Sequence, residues 1–280
     1  MSAIARTPPG PALTPAPEPA PGSTMGRVFE HRLMAYRRTF RSSLFSSFIT
    51  PTLFLAAMGL GLGSYVDGGD SAALGGISYL AFLAPGLLAA SAMNSASFEA
   101  TFPVMGGLIW SRIFHAMYAS PISARDITLG NLAFIAARLT LVATVFTVVI
   151  VLFGAATSPL IVLAIPAAVL TGMAFAAPIA AFSATQKTPE KFNALFRFII
   201  TPLFLFSGTF FPVSSLPPVL QSIAWFTPLY HGVSLTRGLS LGTISQDPPA
   251  AVVDVLFLSA FVIVGTFFAI RTIGARLVRG

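Results

Sequence analysis

The chain contains no cysteine, only three histidines and few charges: 9% of its 280 residues are Asp, Glu, Lys or Arg. Without cysteine there is no disulfide, no thiolate nucleophile and no Cys-based metal centre, and three scattered histidines supply no metal-ligand spacing. The only lysines, Lys187 and Lys191, follow Gln186 and Glu190. The GxxxxGK[ST] loop that cradles phosphates on backbone amides is therefore missing, and any ATP hydrolysis belongs to another polypeptide. No apolar segment carries paired carboxylates or a histidine beside a nucleophile, which disfavours a membrane-embedded enzyme of lipid metabolism. No acid lies near the middle of a predicted span to couple ions, which disfavours a secondary transporter.

What the sequence has in quantity is apolar residues, at 55% of the chain, with a mean hydropathy of +0.83 and a net charge of +7. A globular domain is about 25% charged, so this composition describes an integral membrane protein. Residues 1–24 are dominated by Pro and Ala and lack the apolar core of a signal peptide, which predicts a disordered tail ahead of one membrane domain over 25–280. Just after the tail, Phe29, Leu33, Tyr36 and Phe40 recur at helical spacing among Arg27, Arg32, Arg37, Arg38 and Arg41. That pattern predicts an amphipathic helix lying on a membrane surface.

Six runs then approach the roughly 20 residues that cross the hydrocarbon core as a helix, at 44–63, 77–98, 139–156 (with an earlier start open), 160–182, 194–213 and 252–270. The expected fold class is an all-α integral membrane protein with six transmembrane helices. Lys and Arg cluster before the first run, between the second and third, between the fourth and fifth, and after the last. The opposite side offers Arg237 alone, against Asp67, Asp70, Asp247 and Asp254. The positive-inside rule puts both termini in the cytoplasm of a plasma or inner membrane.

Two connections stand out. On the outer side, FSGTFFPVSSLPPVLQSIAWFTPLYHG (206–232) is too apolar for an aqueous loop and too rich in proline for an unbroken helix. Non-helical backbone cannot sit exposed in lipid, so a pair of short helices packed on the bundle and dipping into the outer leaflet is expected, with prolines at helix starts and turns. Such a hairpin is either a seal over the bundle or an outer gate. On the cytoplasmic side, Trp110, Ile113, Phe114 and Met117 fall at i, i+3, i+4 and i+7 on a short helix that Ser120 and Pro121 end, and Ser123 is placed to cap the next one. The apolar face suits the membrane surface or a helix-in-groove contact with a partner. Arg138 and Glu99 are expected at one depth and able to pair. The length of the run after Arg138 favours a guanidinium that snorkels to the cytoplasmic interface over one in a transport path.

The segments FSGTFFPVSSLPPVLQSIAWFTPLYHGVSLTRGL (206–239) and ASPISARDITLG (119–130) resemble the ABC-2 type permease family, nearest to its lipooligosaccharide, nodulation-factor and daunorubicin-type exporters. The resemblance covers essentially everything after the tail. It implies six transmembrane helices, an N-terminal interface helix, a cytoplasmic coupling helix and an extracellular re-entrant helical hairpin. It implies coupling to an ATPase through Trp110, Ile113, Phe114, Met117, Ser120, Pro121, Arg125 and Asp126. The outer hairpin would be built on Gly208, Phe211, Pro212, Pro217, Trp225, Pro228, Tyr230, His231 and Arg237. The implied partners are nucleotide-binding ATPase subunits, which carry the ATP and Mg, a second permease copy or paralogue, and membrane lipids. No nucleic acid, cofactor, metal or catalytic residue is expected on this chain. An apolar cavity with few polar anchors suits an amphipathic lipid-linked molecule or a hydrophobic drug, exported from the cytoplasm or inner leaflet. The alternatives to such an exporter are a secondary transporter and a membrane-embedded enzyme of lipid metabolism.

Overall fold

The computed structural model describes residues 23–37, 40, 45, 49, 52–63 and 76–279. Most of the tail, Arg38, Arg41, a few residues at the start of the first predicted span, and Asp67 and Asp70 lie outside the described residues. Within them every regular element is helical. In chain order these are α1 (Ser23–Arg37), α2 (52–63), α3 (Tyr79–Trp110), α4 (Ile113–Tyr118), α5 (Ala124–Leu152), α6 (Pro159–Thr185), α7 (190–206), α8 (Pro218–Trp225), α9 (Pro228–Leu241) and α10 (Pro248–Arg279).

Four of these, α3, α5, α6 and α10, are long and apolar enough to cross a membrane. α3, α6 and α10 run in one direction and α5 in the other, so the chain ends of α3, α6 and α10 nearest residues 110, 185 and 279 share one end of the bundle with the start of α5. We call it the cationic end, because Arg112, Arg125, Lys187, Lys191 and Arg279 stand exposed there. The opposite end holds α8, α9 and the turn between α5 and α6, where the amides of Thr157 and Ser158 donate to the carbonyl of Ser240.

Alanine lets these helices approach closely. Ala89, Ala90, Ala92, Ala96 and Ala100 on α3 and Ala168, Ala174, Ala176, Ala177 and Ala180 on α6 are buried in one core. Small interface residues are how helices gain dispersion contact where lipid offers no hydrophobic drive between them. α10 leans on α6 at Gly265, where an added Cβ would lie 2.5 Å from Pro178 Cδ. The other face of α10 exposes Val252, Leu256, Ile263, Phe267 and Phe268, as expected of a helix facing acyl chains.

The fifth predicted span needs correction. α7 stops at Phe206, not at residue 213, and the chain turns through Gly208 at φ +85°, a left-handed conformation that glycine adopts without steric cost. Apolarity continues through Phe210 and Phe211, but the helix does not, because Ser207 and Gly208 end it before the aromatic pair. The two short helices expected beyond are present, each with a proline in its first turn, Pro218 in α8 and Pro228 in α9.

Candidate functional site

At the end opposite the cationic one, three elements are tied by one imidazole. His231 on α9 is 1% exposed; its Nδ1 lies 2.7 Å from Oδ1 of Asp254 on α10 and its Nε2 lies 2.8 Å from the carbonyl oxygen of Trp225 at the end of α8. A carbonyl only accepts, so Nε2 carries a proton. The carboxylate contact needs a second proton between Nδ1 and Oδ1, whether the imidazole or Asp254 is taken to own it. The ring is packed against Phe257 at 4.0 Å between centroids. From sequence, His231 reads only as a residue of the outer hairpin, and its partner goes unseen. Asp254 reads as one of the anions of the side opposite the basic clusters, at the start of the span 252–270, whereas it lies two turns into α10 and is 5% exposed. The signal is a lone acid inside the apolar run AVVDVLFLSAF.

Arg237, one helical face further along α9, reaches α3 and the turn after α7. Its Nε donates to the carbonyl of Phe82 at 3.1 Å and its Nη2 to the carbonyl of Gly208 at 2.8 Å, while the guanidinium stacks 3.8 Å over the Phe82 ring. Thr236 donates to the carbonyl of Pro85 at 2.9 Å. Pro85 interrupts the hydrogen-bond ladder of α3, and side chains from α9 take up carbonyls of that turn. A cavity of about 460 Å³ opens beside these residues, lined in part by Ser207, Tyr230, Ser234, Arg237, Asp247 and Asp254. Of the other predicted hairpin residues, Pro212 and Pro217 precede the short helical turns at 213 and 218. Phe211 is half-buried and Trp225 exposed.

Between the ends, Arg138 of α5 and Glu99 of α3 meet as an ion pair, with side-chain exposures of 28% and 8%. The Arg138 guanidinium also lies 5.3 Å from the ring centroid of Tyr36 on α1.

At the cationic end, the expected apolar knob is mostly spent within the chain. Phe114 is 1% exposed and fills the space over Gly107, where an added Cβ would lie 2.8 Å from its ring, and Ile113 and Met117 pack on the same core. The reason is geometric: α3 ends in a π-helical turn, Gly106–Trp110, and Arg112 takes a left-handed conformation at φ 49°, folding α4 back against its own bundle. Phe114 is therefore not a free docking residue. Trp110, 60% exposed, with Tyr118, Ser120, Pro121 and Arg125 forms the surface that remains. Asp126 is also committed, because its Oδ2 accepts from the hydroxyls of Thr24 on α1 and Ser123, each at 2.8 Å, while Ser123 caps α5.

The ABC-2 type transporter family model matches residues 27–241. Nodulation protein J of Rhizobium leguminosarum bv. viciae is 32% identical over 224 residues, covering 80% of this chain and 85% of that protein. Nodulation protein J of Rhizobium leguminosarum bv. trifolii is 31% identical over 265 residues, covering 92% and 97%. The inner membrane transport permease YadH of Escherichia coli (strain K12) is 26% identical over 236 residues, covering 84% and 88%.

Proposed function

The chain belongs to the ABC-2 type transporter family, and we propose that it is the membrane-spanning half of an exporter that a separate ATPase drives. On this reading α2 and α7 complete a set of six spans, the cationic end and both termini lie in the cytoplasm, and α8 and α9 dip into the outer leaflet of a plasma or inner membrane. Two permease copies, or this chain and a paralogue, pair with two nucleotide-binding subunits that carry ATP and Mg. The cargo is an amphipathic lipid-linked molecule or a hydrophobic drug. Supporting this are the apolar walls of the bundle and the kinship with proteins named for nodulation and for transport.

The observation that carries the reading is the difference between the two faces of α4. One face is locked to α3 through Phe114 and Gly107, while Tyr118 at the end of α4 and Trp110 at the end of α3 stay exposed for a partner. A force applied there moves α3, which holds α9 through Arg237 and Thr236, and α9 holds α8 and α10 through His231. The path is a chain of packed elements rather than a flexible tether, as coupling between distant sites requires.

Trp110→Asp with Tyr118→Asp tests it, since charge buried without a partner in an interface is costly. The native chain should co-purify with an ATPase bearing a Walker A loop. The double variant should keep its thermal transition and lose that ATPase. Unchanged co-purification would remove α4 as the docking site, and absence of any ATPase from the native complex would remove the exporter reading itself.

A further inference from the structure

Between α1 and α5 lies a groove of about 290 Å³ whose walls include Leu33, Phe40, Phe134 and Leu141, with Arg37 and Arg138 also in its lining. On α5 the contributing positions Phe134, Ala137, Arg138 and Leu141 fall at i, i+3, i+4 and i+7, one face of the helix, so the groove runs lengthwise along a candidate span. Its charge is one-sided. Arg32 stacks 5.0 Å over the Phe134 ring, and its buried Nε and Nη2 meet no hydrogen-bond acceptor among the described residues. Burial first, and then the nearby Arg138, pushes the Arg32 guanidinium down to about 10, which leaves it charged at neutral pH. Arg37 is exposed at the end of α1, and Glu99 balances Arg138 alone.

We infer that this groove binds an anionic phospholipid from the leaflet at the cationic end, its phosphate between Arg37 and Arg138 and one acyl chain along Phe134, Ala137 and Leu141. Charge and shape both select this occupant. A second copy of the chain seated here would set like guanidinium groups against each other. A free anion would use the arginines but leave the apolar walls in water. A phospholipid satisfies both, because juxtamembrane arginines attract anionic headgroups while the walls take the chain. Bound there, the lipid would fasten α1 to the bundle alongside the contact of Thr24 with Asp126 and the seating of Val28 on Gly130. The lipid site depends only on the placement of α1 at a membrane surface, so it stands or falls apart from the choice of cargo or ATPase.

Native mass spectrometry of the full-length protein, released from detergent with phosphatidylglycerol or phosphatidylcholine of identical chains, tests it. The native chain should retain phosphatidylglycerol in preference. Arg37→Gln should lower that retention about five-fold, the factor matching one arginine's attraction to an anionic surface, and leave phosphatidylcholine unchanged. Ala137→Trp, which fills the groove without touching the charges, should lower retention of phosphatidylglycerol too, with the thermal transition of each variant confirming that it is folded. Equal retention of the two lipids by the native chain, or equal phosphatidylglycerol retention by native and Arg37→Gln, overturns the site. Displacement of the lipid by millimolar inorganic phosphate assigns the arginines to a free anion and overturns the lipid.

Discussion

At the end of the bundle formed by α8 and α9, three charged or titratable side chains point inward and find partners, whereas at the cationic end most basic side chains stand in the open. His231, Asp254 and Arg237 are each held by named atoms of neighbouring elements. Arg112, Arg125, Lys187 and Lys191 are exposed. The same residue types therefore do different jobs. Where backbone is broken and water scarce, a charge is retained as a tie that satisfies carbonyls the helices cannot. Where water is plentiful, a charge sets orientation and partner choice and adds little to stability.

The contrast breaks most clearly at the buried pair. Removing one member of such a pair leaves the other uncompensated, so Asp254→Ala should destabilise the protein by about 3–5 kcal/mol. His231→Phe with Asp254→Leu should recover much of that loss, because two apolar groups of similar volume leave no orphaned charge, although the carbonyl of Trp225 loses its donor. Thermal unfolding in detergent reads both, and a double variant no better than the single one would mean that the pair is not the tie.

Arg237→Met comes next. It abolishes two charge-assisted hydrogen bonds to carbonyls while keeping most of the stem, which should cost about 2–3 kcal/mol in the same measurement. Arg237→Lys should recover less than half, since one ammonium cannot span the Phe82 and Gly208 carbonyls or lie flat on the Phe82 ring. Full recovery by lysine would reduce Arg237 to a simple cation.

Against these, Arg125→Gln at the cationic end should change stability by no more than about 0.5 kcal/mol, the usual range for an exposed side chain. It should weaken ATPase co-purification. A stability loss as large as that of Arg237→Met would erase the contrast between the ends.

The smallest effect is a pH response. His115 on α4 has ring nitrogens without hydrogen-bond partners among the described residues, and burial first, then Arg112 and Arg276, holds its imidazole below the usual value of 6.5. As pH falls through 6.5 the unfolded chain takes up a proton that the folded chain refuses, so stability present above that pH declines below it. Thermal unfolding at pH 7.5 and 5.5 should show the native chain losing slightly more than His115→Leu.

The long helices were legible because apolar length is what a membrane demands, and the hairpin was legible because Pro218 and Pro228 cannot lie inside helices at those positions without breaking them. What escaped were choices among equivalent faces. The spacing of Trp110, Ile113, Phe114 and Met117 reads as one helical face, but Trp110 ends α3 and the turn at Arg112 leaves only Ile113, Phe114 and Met117 on α4. The space that accepts Phe114 is created by Gly107, in the helix before, and only the sharp turn at Arg112 brings the two together. The end of α7 escaped for a related reason, since hydropathy does not distinguish an apolar helix from an apolar turn, and the stop lies in Ser207 and Gly208. Pairing of Glu99 with Arg138 was foreseeable from depth alone, whereas pairing of His231 with Asp254 required reading a single acid within an apolar run as a partner in waiting.

The ion pair of Arg138 and Glu99 has an electrical consequence. A full elementary charge carried across the bilayer exchanges about 2.3 kcal/mol with each 100 mV of membrane potential. Because the guanidinium and the carboxylate travel as one neutral unit, a rearrangement of α3 and α5 that keeps them together displaces no net charge at that depth. The voltage across the membrane then does no net work on this pair.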